Sequence, residues 1–155
     1  MKLKIISVGH KMPAWVETAC AEYIKRMPRE LATEIIEIKP DKRADGRNSA
    51  TVQAAEAERI RKAVNRDYLV VCDEKGSEKS TLQLAKSMQS WLEMGRDVSF
   101  VIGGADGLDA TLIQQADWHW SLSKLTLPHA FVRVLLTEQL YRAYTVIQNH
   151  PYHKE

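Results

Sequence analysis

With 155 residues, 45% of them hydrophobic and 27% charged, the chain has the size and composition of one globular domain with a sizeable core. A net charge of +2 excludes a strongly basic nucleic-acid binder of the usual kind, and no apolar run approaches the length of a membrane span. Residues 1–77 hold 15 Lys and Arg against 12 Asp and Glu, while residues 78–155 hold 7 against 8, so any basic bias lies in the first half.

In chain order, residues 2–8 read as a strand, followed by Gly9 and a helix over about 13–26 with Trp15, Cys20 and Tyr23 or Ile24 on one face. The start, MKLKIISVG, is too short and too strand-like for a signal peptide, and a cytoplasmic protein is expected. Lys25, Arg26 and Arg29 form a basic cluster near the end of that helix. Residues 34–38 alternate as a second strand. The polar segment 39–48, with Lys39, Lys42, Arg43 and Arg47, is the best candidate for a mobile loop. Residues 49–64 form a helix-rich run, in and after which Arg59, Arg61, Lys62 and Arg66 make a third basic cluster. Charge runs of this kind are ordinarily solvated faces; if nucleic acid binds here, a second subunit or another partner must enlarge the patch.

Residues 67–72 form a short, nearly continuous apolar strand, as expected when both faces are covered. A turn over 76–80 and a helix over 81–94 follow; Leu84, Met88, Trp91 and Leu92 face inward and Gly95 ends the helix. Residues 98–102 are another buried strand. After them come Gly103 and Gly104, a short helix over about 109–116 and a strand over 118–122. The segment SLSKLTLPHAFVRVLLTEQLYRAYT closes the pattern. Leu122, Leu125 and Leu127 are too apolar for a solvated connector and should be covered, Pro128 suits the first turn of a helix, and Thr126 stands upstream as a cap. From Phe131 onward Val134, Leu135 and Tyr141 recur at helical spacing, while Glu138 and Arg142 share a face. Alternation of strand and helix predicts an α/β fold with a mostly parallel sheet, helices on both faces and a ligand at the carboxyl ends of the strands.

Three of those ends converge: Asp73, Gly103 with Gly104, and the leucine loop. Paired glycines after a buried strand let main chain approach a ligand or a crossing chain, though G-G-x-x-G is not the dinucleotide fingerprint and no Walker lysine accompanies it. Asp73 can accept hydrogen bonds from a ligand hydroxyl or cap a turn. Cys20 and Cys72 lack Cys-x-x-Cys spacing and are expected as free buried thiols. His150 and His153 have H-x-x-H spacing, but Pro151 intervenes and no third ligand is evident, so no metal site is expected. No G-x-S-x-G elbow supports hydrolase chemistry.

The runs VIGGADGL, WSLSKLTLPHAFVRVLLTEQLYRAY and NHPYH, with KMPAWV near the start, resemble the RlmH family of SPOUT-class RNA methyltransferases. Length and element order agree throughout, so the resemblance implies a single SPOUT domain over residues 1–155. It further implies a C-terminal trefoil knot, a homodimer, S-adenosyl-L-methionine as cofactor, and methylation of the N3 ring nitrogen of a pseudouridine in large-subunit ribosomal RNA within the assembled ribosome. Carried over by position, cofactor contacts fall on Cys72, Asp73, Gly103, Gly104, Leu122, Ser123, Lys124, Leu125, Thr126 and Leu127. Where this chain has Cys72, relatives are expected to carry Leu. His129, Glu138, Arg142, Tyr152 and His153 are candidates for placing the substrate base, none of them marked as a general base. Two other readings compete. A ribosome-associated factor without cofactor is disfavoured by the intact loop and glycines; a transfer-RNA methyltransferase is disfavoured because no extra RNA-binding domain fits in this length.

Overall fold

A computed structural model describes residues 1–9, 12–41, 48–104 and 106–154. Most of the predicted 39–48 loop, including Lys42, Arg43 and Arg47, lies outside the described residues. Five strands form one sheet in the order β2-β1-β4-β3-β5, every pair parallel: β1 Lys2–Val8, β2 Ala32–Ile38, β3 Tyr68–Glu78, β4 Val98–Ile102 and β5 Trp118–Ser121. The helices are α1 Ala14–Ile24, α2 Ser49–Val64, α3 Thr81–Met94, α4 Ala110–Gln115 and α5 His129–Ile147.

Strand periodicity divides the apolar residues between the two faces of the sheet. Leu3 and Ile5 of β1, Val70 of β3 and Phe100 of β4 join Leu84, Met88 and Trp91 of α3 and Leu136 and Leu140 of α5 in one core. Ile6, Val8, Val71 and Val101 join Ala57 and Ile60 of α2 and Leu112 of α4 in the other. The central β4 is buried at all five positions, which is why its sequence VSFVI does not alternate. Ser80 caps α3 in a capping box with Gln83, and Gly95 closes it in the left-handed region at φ 66°. Both cysteines are free and buried, as expected.

Four local expectations are corrected. In place of a turn over 76–80, β3 runs on to Glu78, with an irregularity that sets both Cys72 and Ser77 against Trp120. A single extra pairing partner is invisible to a sequence pattern, and Gly76 sits there because a Cβ would lie 2.7 Å from the main chain of His119 and Trp120. On α1, Val16 and Cys20 are buried while Trp15 is half exposed, its ring 5.4 Å from Phe131. On α5, the buried positions are Arg133, Leu136, Thr137, Leu140, Tyr141, Ala143 and Thr145; of the predicted stripe Tyr141 is buried, Val134 half-buried and Leu135 exposed. Polar Arg133 and Thr137 broke the apparent periodicity, since both are buried with hydrogen-bond partners. Finally, Thr126 does not cap α5: Pro128 holds the N-cap position without a side-chain cap, and the Thr126 hydroxyl donates to Glu74 at 3.2 Å.

Candidate functional site

Because all five strands are parallel, their carboxyl ends open on one edge of the sheet, and there the connections after β3, β4 and β5 bound a cleft of about 610 Å³. That volume suits a nucleoside-sized ligand. Cys72, Asp73 and Glu74 come from β3, Ile102, Gly103 and Gly104 from the end of β4, and Leu122, Ser123, Leu125, Thr126 and Leu127 from the loop after β5. Of the positions expected to hold cofactor, Lys124 alone does not line the cleft; its side chain is almost fully exposed and its Nζ lies 3.8 Å from Glu78.

The loop is held by its own polar atoms. Ser121 Oγ donates to the Ser123 carbonyl at 2.8 Å, and Leu125 N donates to Ser123 Oγ at 3.0 Å. Leu125 nevertheless stays 72% exposed, so the expected cover over the leucines is incomplete within one chain. Asp73 Oδ2 is 2.8 Å from Nε2 of His119 on β5, which makes it one half of a cross-strand pair and not a turn cap. Cys72, the preceding residue on β3, is uncharged: burial pushes its thiol up to about 12.

The two glycines are there for contact. A Cβ on Gly103 would lie 2.8 Å from Cγ of Leu108 and 3.1 Å from the Gly107 carbonyl carbon, and one on Gly104 would lie 3.0 Å from Val8 Cγ1. Main chain therefore forms the floor of the cleft at the β4 end.

His129 also lines the cleft, at the first turn of α5. Its Nε2 is 2.6 Å from Oγ of Ser7, which in turn accepts from Arg133 Nη2 at 2.9 Å. Burial, then the neighbouring Arg133 guanidinium, hold the His129 imidazole below the usual histidine range, against a smaller opposing pull from the Gly103 main chain. The other proposed substrate-placing residues sit elsewhere. Glu138 Oε1 accepts from Arg142 Nε at 2.7 Å and from the Tyr152 hydroxyl at 3.2 Å. Tyr152 lies edge-on to Tyr141 at 4.8 Å with the Arg142 guanidinium 4.9 Å over its ring, so the tail, a 3-10 turn over Pro151–Lys154, folds back on α5. Burial and its hydrogen bonds raise the Tyr152 phenol. His150 Nδ1 accepts from Tyr152 N at 3.1 Å, which takes it away from the H-x-x-H reading, and the described residues contain no group of three metal-ligating side chains. His153 lies in the same turn. Glu138 follows His129 by nine positions, about 13 Å along the helix axis. Within one chain, then, the tail cluster and the cleft are separate.

Sequence reasoning missed Val8, Glu74, Leu108 and Val132 in the cleft, and the partners Ser7, His119 and Arg133. Val8 ends β1, so the rule that ligands sit at strand ends would have reached it. Nothing in sequence marks Ser7, which is a small residue inside an apolar strand.

The chain matches the family described as predicted SPOUT methyltransferase over residues 1–153. It is 67% identical over 155 residues to a protein of Methylobacillus flagellatus named ribosomal RNA large subunit methyltransferase H, with all of both chains covered. A protein of the same name from Paraburkholderia xenovorans is 56% identical over 99% of each chain. Among solved structures, a probable methyltransferase from Bordetella pertussis superposes with a TM-score of 0.58 at 16% identity, covering 91% of this chain and 95% of that one. A probable methylase family protein from Haemophilus influenzae gives 0.57 at 14% identity, covering 97% and 69%. At such identities the structures speak for the fold. No helix among the described residues is long and apolar enough to cross a membrane.

Proposed function

This chain belongs to the SPOUT methyltransferase family, and we propose from that membership that it transfers a methyl group from S-adenosyl-L-methionine to N3 of a pseudouridine in large-subunit (23S) ribosomal RNA. The observation that carries the reading is the cleft floored by Gly103 and Gly104 and walled by the leucine loop, in a chain matching named ribosomal RNA methyltransferases over its full length. Cytoplasmic action on the assembled ribosome and a knotted C-terminal segment belong to the same reading.

The residues of the cleft fit such a cofactor. Leu122, Leu125 and Leu127 offer flat apolar walls for adenine, the loop main chain offers donors and acceptors, and Asp73 offers a carboxylate to hydroxyls. When bound, S-adenosylmethionine supplies an electrophilic methyl on a sulfonium centre, transferred by in-line displacement. The protein's task is alignment and exclusion of water; no covalent nucleophile is needed. Cys72 as a thiol and His129 as a neutral imidazole add neither a thiolate nor an imidazolium to the wall.

Substrate placement falls to Glu138 and Arg142, about 13 Å or more along α5 from His129, and to Tyr152 and His153 in the tail turn that folds back on them. We place them at the cleft of a second copy, so that a homodimer completes the site. Trp15, Phe131 and Leu135 are exposed along α1 and α5, and with Leu125 they leave an apolar surface that a second subunit would cover. Sedimentation at micromolar concentration should return twice the 17.7 kDa chain mass; a monomer would remove the composite site.

The function is tested by incubating ribosomes that lack the modification with labelled S-adenosylmethionine and mapping the labelled nucleotide. Label at N3 of one pseudouridine is expected; label in transfer RNA, or none, would overturn the reading. Gly103→Val should weaken cofactor binding by about 1 to 3 kcal/mol in calorimetry, because the branched side chain must displace Leu108 or enter the cleft. Unchanged affinity in the folded variant would move the cofactor away from the β4 end.

A further inference from the structure

Ser7 is fully buried near the carboxyl end of β1, among apolar neighbours, yet it carries a hydroxyl. Two polar groups reach it, both from α5: Arg133 Nη2 at 2.9 Å and His129 Nε2 at 2.6 Å. A guanidinium can only donate, so Ser7 Oγ accepts from Arg133. Among the described residues, the acceptor left for the Ser7 hydroxyl proton is His129 Nε2. A neutral imidazole that accepts at Nε2 carries its own proton on Nδ1. The ring lines the same cleft as Gly103.

We propose that Ser7 and Arg133 are positioning residues of the cofactor cleft, holding His129 as a ring protonated on Nδ1 and fixing its orientation in the cleft wall. The direction of the relay follows from its first member. Arg133 is 2% exposed, stays charged, and has Glu37 Oε1 at 3.6 Å as its counter-charge on β2. An imidazolium at His129 would set a second cation against the same hydroxyl and take away the acceptor of its proton. Asp73 and Glu74 are the carboxylates lining the cleft, and each has a partner of its own, His119 and Thr126. The relay therefore keeps one wall uncharged where a cationic sulfonium ligand is to be received, and keeps the ring from turning. This deepens the methyltransferase reading and rests on it for the identity of the ligand.

The test is nitrogen-15 spectroscopy of the histidine rings in the free protein at neutral pH, with His129 assigned by comparison with His129→Gln, followed by calorimetry with S-adenosylhomocysteine. In the unaltered chain His129 should show a protonated Nδ1 and an acceptor Nε2. Ser7→Ala should mix the two tautomers and weaken S-adenosylhomocysteine about fivefold, the loss associated with one hydrogen bond. An imidazolium or a protonated Nε2 in the unaltered chain would overturn the proposal, as would a Ser7→Ala protein with both tautomer and affinity unchanged. Should the unaltered chain fail to bind S-adenosylhomocysteine, the cofactor assignment falls, while the ring spectrum of the free protein still decides the relay.

Discussion

Gly76→Ala is expected to lower the unfolding free energy by about 3 kcal/mol, at the upper end of what overpacking a filled interior costs. The added Cβ would meet the His119 carbonyl oxygen and the Trp120 nitrogen and carbonyl carbon, all at 2.7 Å. These are main-chain atoms of β5, which cannot rotate aside as a side-chain tip does, so β3 and β5 must separate where the register shifts between Cys72 and Ser77. At roughly 2 to 4 °C per kcal/mol for a chain of this size, the thermal midpoint should fall by roughly 10 °C. A shift under about 2 °C would mean that the edge strand gives way freely. The same separation would move Asp73 from His119, so affinity at the cleft should fall together with stability.

Removal of residues 151–155 should leave the fold and cofactor affinity nearly intact while methyl transfer falls on the order of 100-fold, the scale attached to small misplacements of a reacting group. The Tyr152 ring covers Tyr141, receives the Arg142 guanidinium on its face and donates its hydroxyl to Glu138. Losing it unpins the Glu138 and Arg142 side chains without touching a residue of the cleft. Three measurements separate the outcomes: dimer mass, cofactor affinity and transfer to ribosomes. Near-normal transfer would make the tail dispensable, and loss of cofactor binding would place it in the cofactor site. The folded-back geometry already argues against simple fraying, the ordinary fate of a terminus.

How far the chain could be read without its structure depended on how local the signal was. Hydrophobic period located the five helices and four of the five strands to within a few residues, β3 running six residues past its expected end: the run VSFVI has no solvent-facing position, and Gly95 marks the end of α3. The convergence of Asp73, Gly103 and the leucine loop was legible for the same reason, since parallel strands bring their carboxyl ends to one edge whatever their order.

What needed the tertiary structure was set by partners distant in the chain. Strand order β2-β1-β4-β3-β5 is a matter of pairing, to which periodicity is blind. On α5, buried Arg133 has no signal in the helical spacing of Val134, Leu135 and Tyr141; its partner Ser7 lies on β1. Gly76 read as a turn because only the path of β5 explains why it can bear no side chain. His129 and Tyr152 stood together as candidates for handling the base; the intervening turns of α5 put one in the cleft and the other in a separate cluster. Local order was therefore written in side-chain period and capping chemistry, while the polar roles of Ser7, His129, Arg133 and Asp73 were decided by an atom more than a hundred residues away or on a neighbouring strand, where hydrogen-bond satisfaction has no sequence spacing to report.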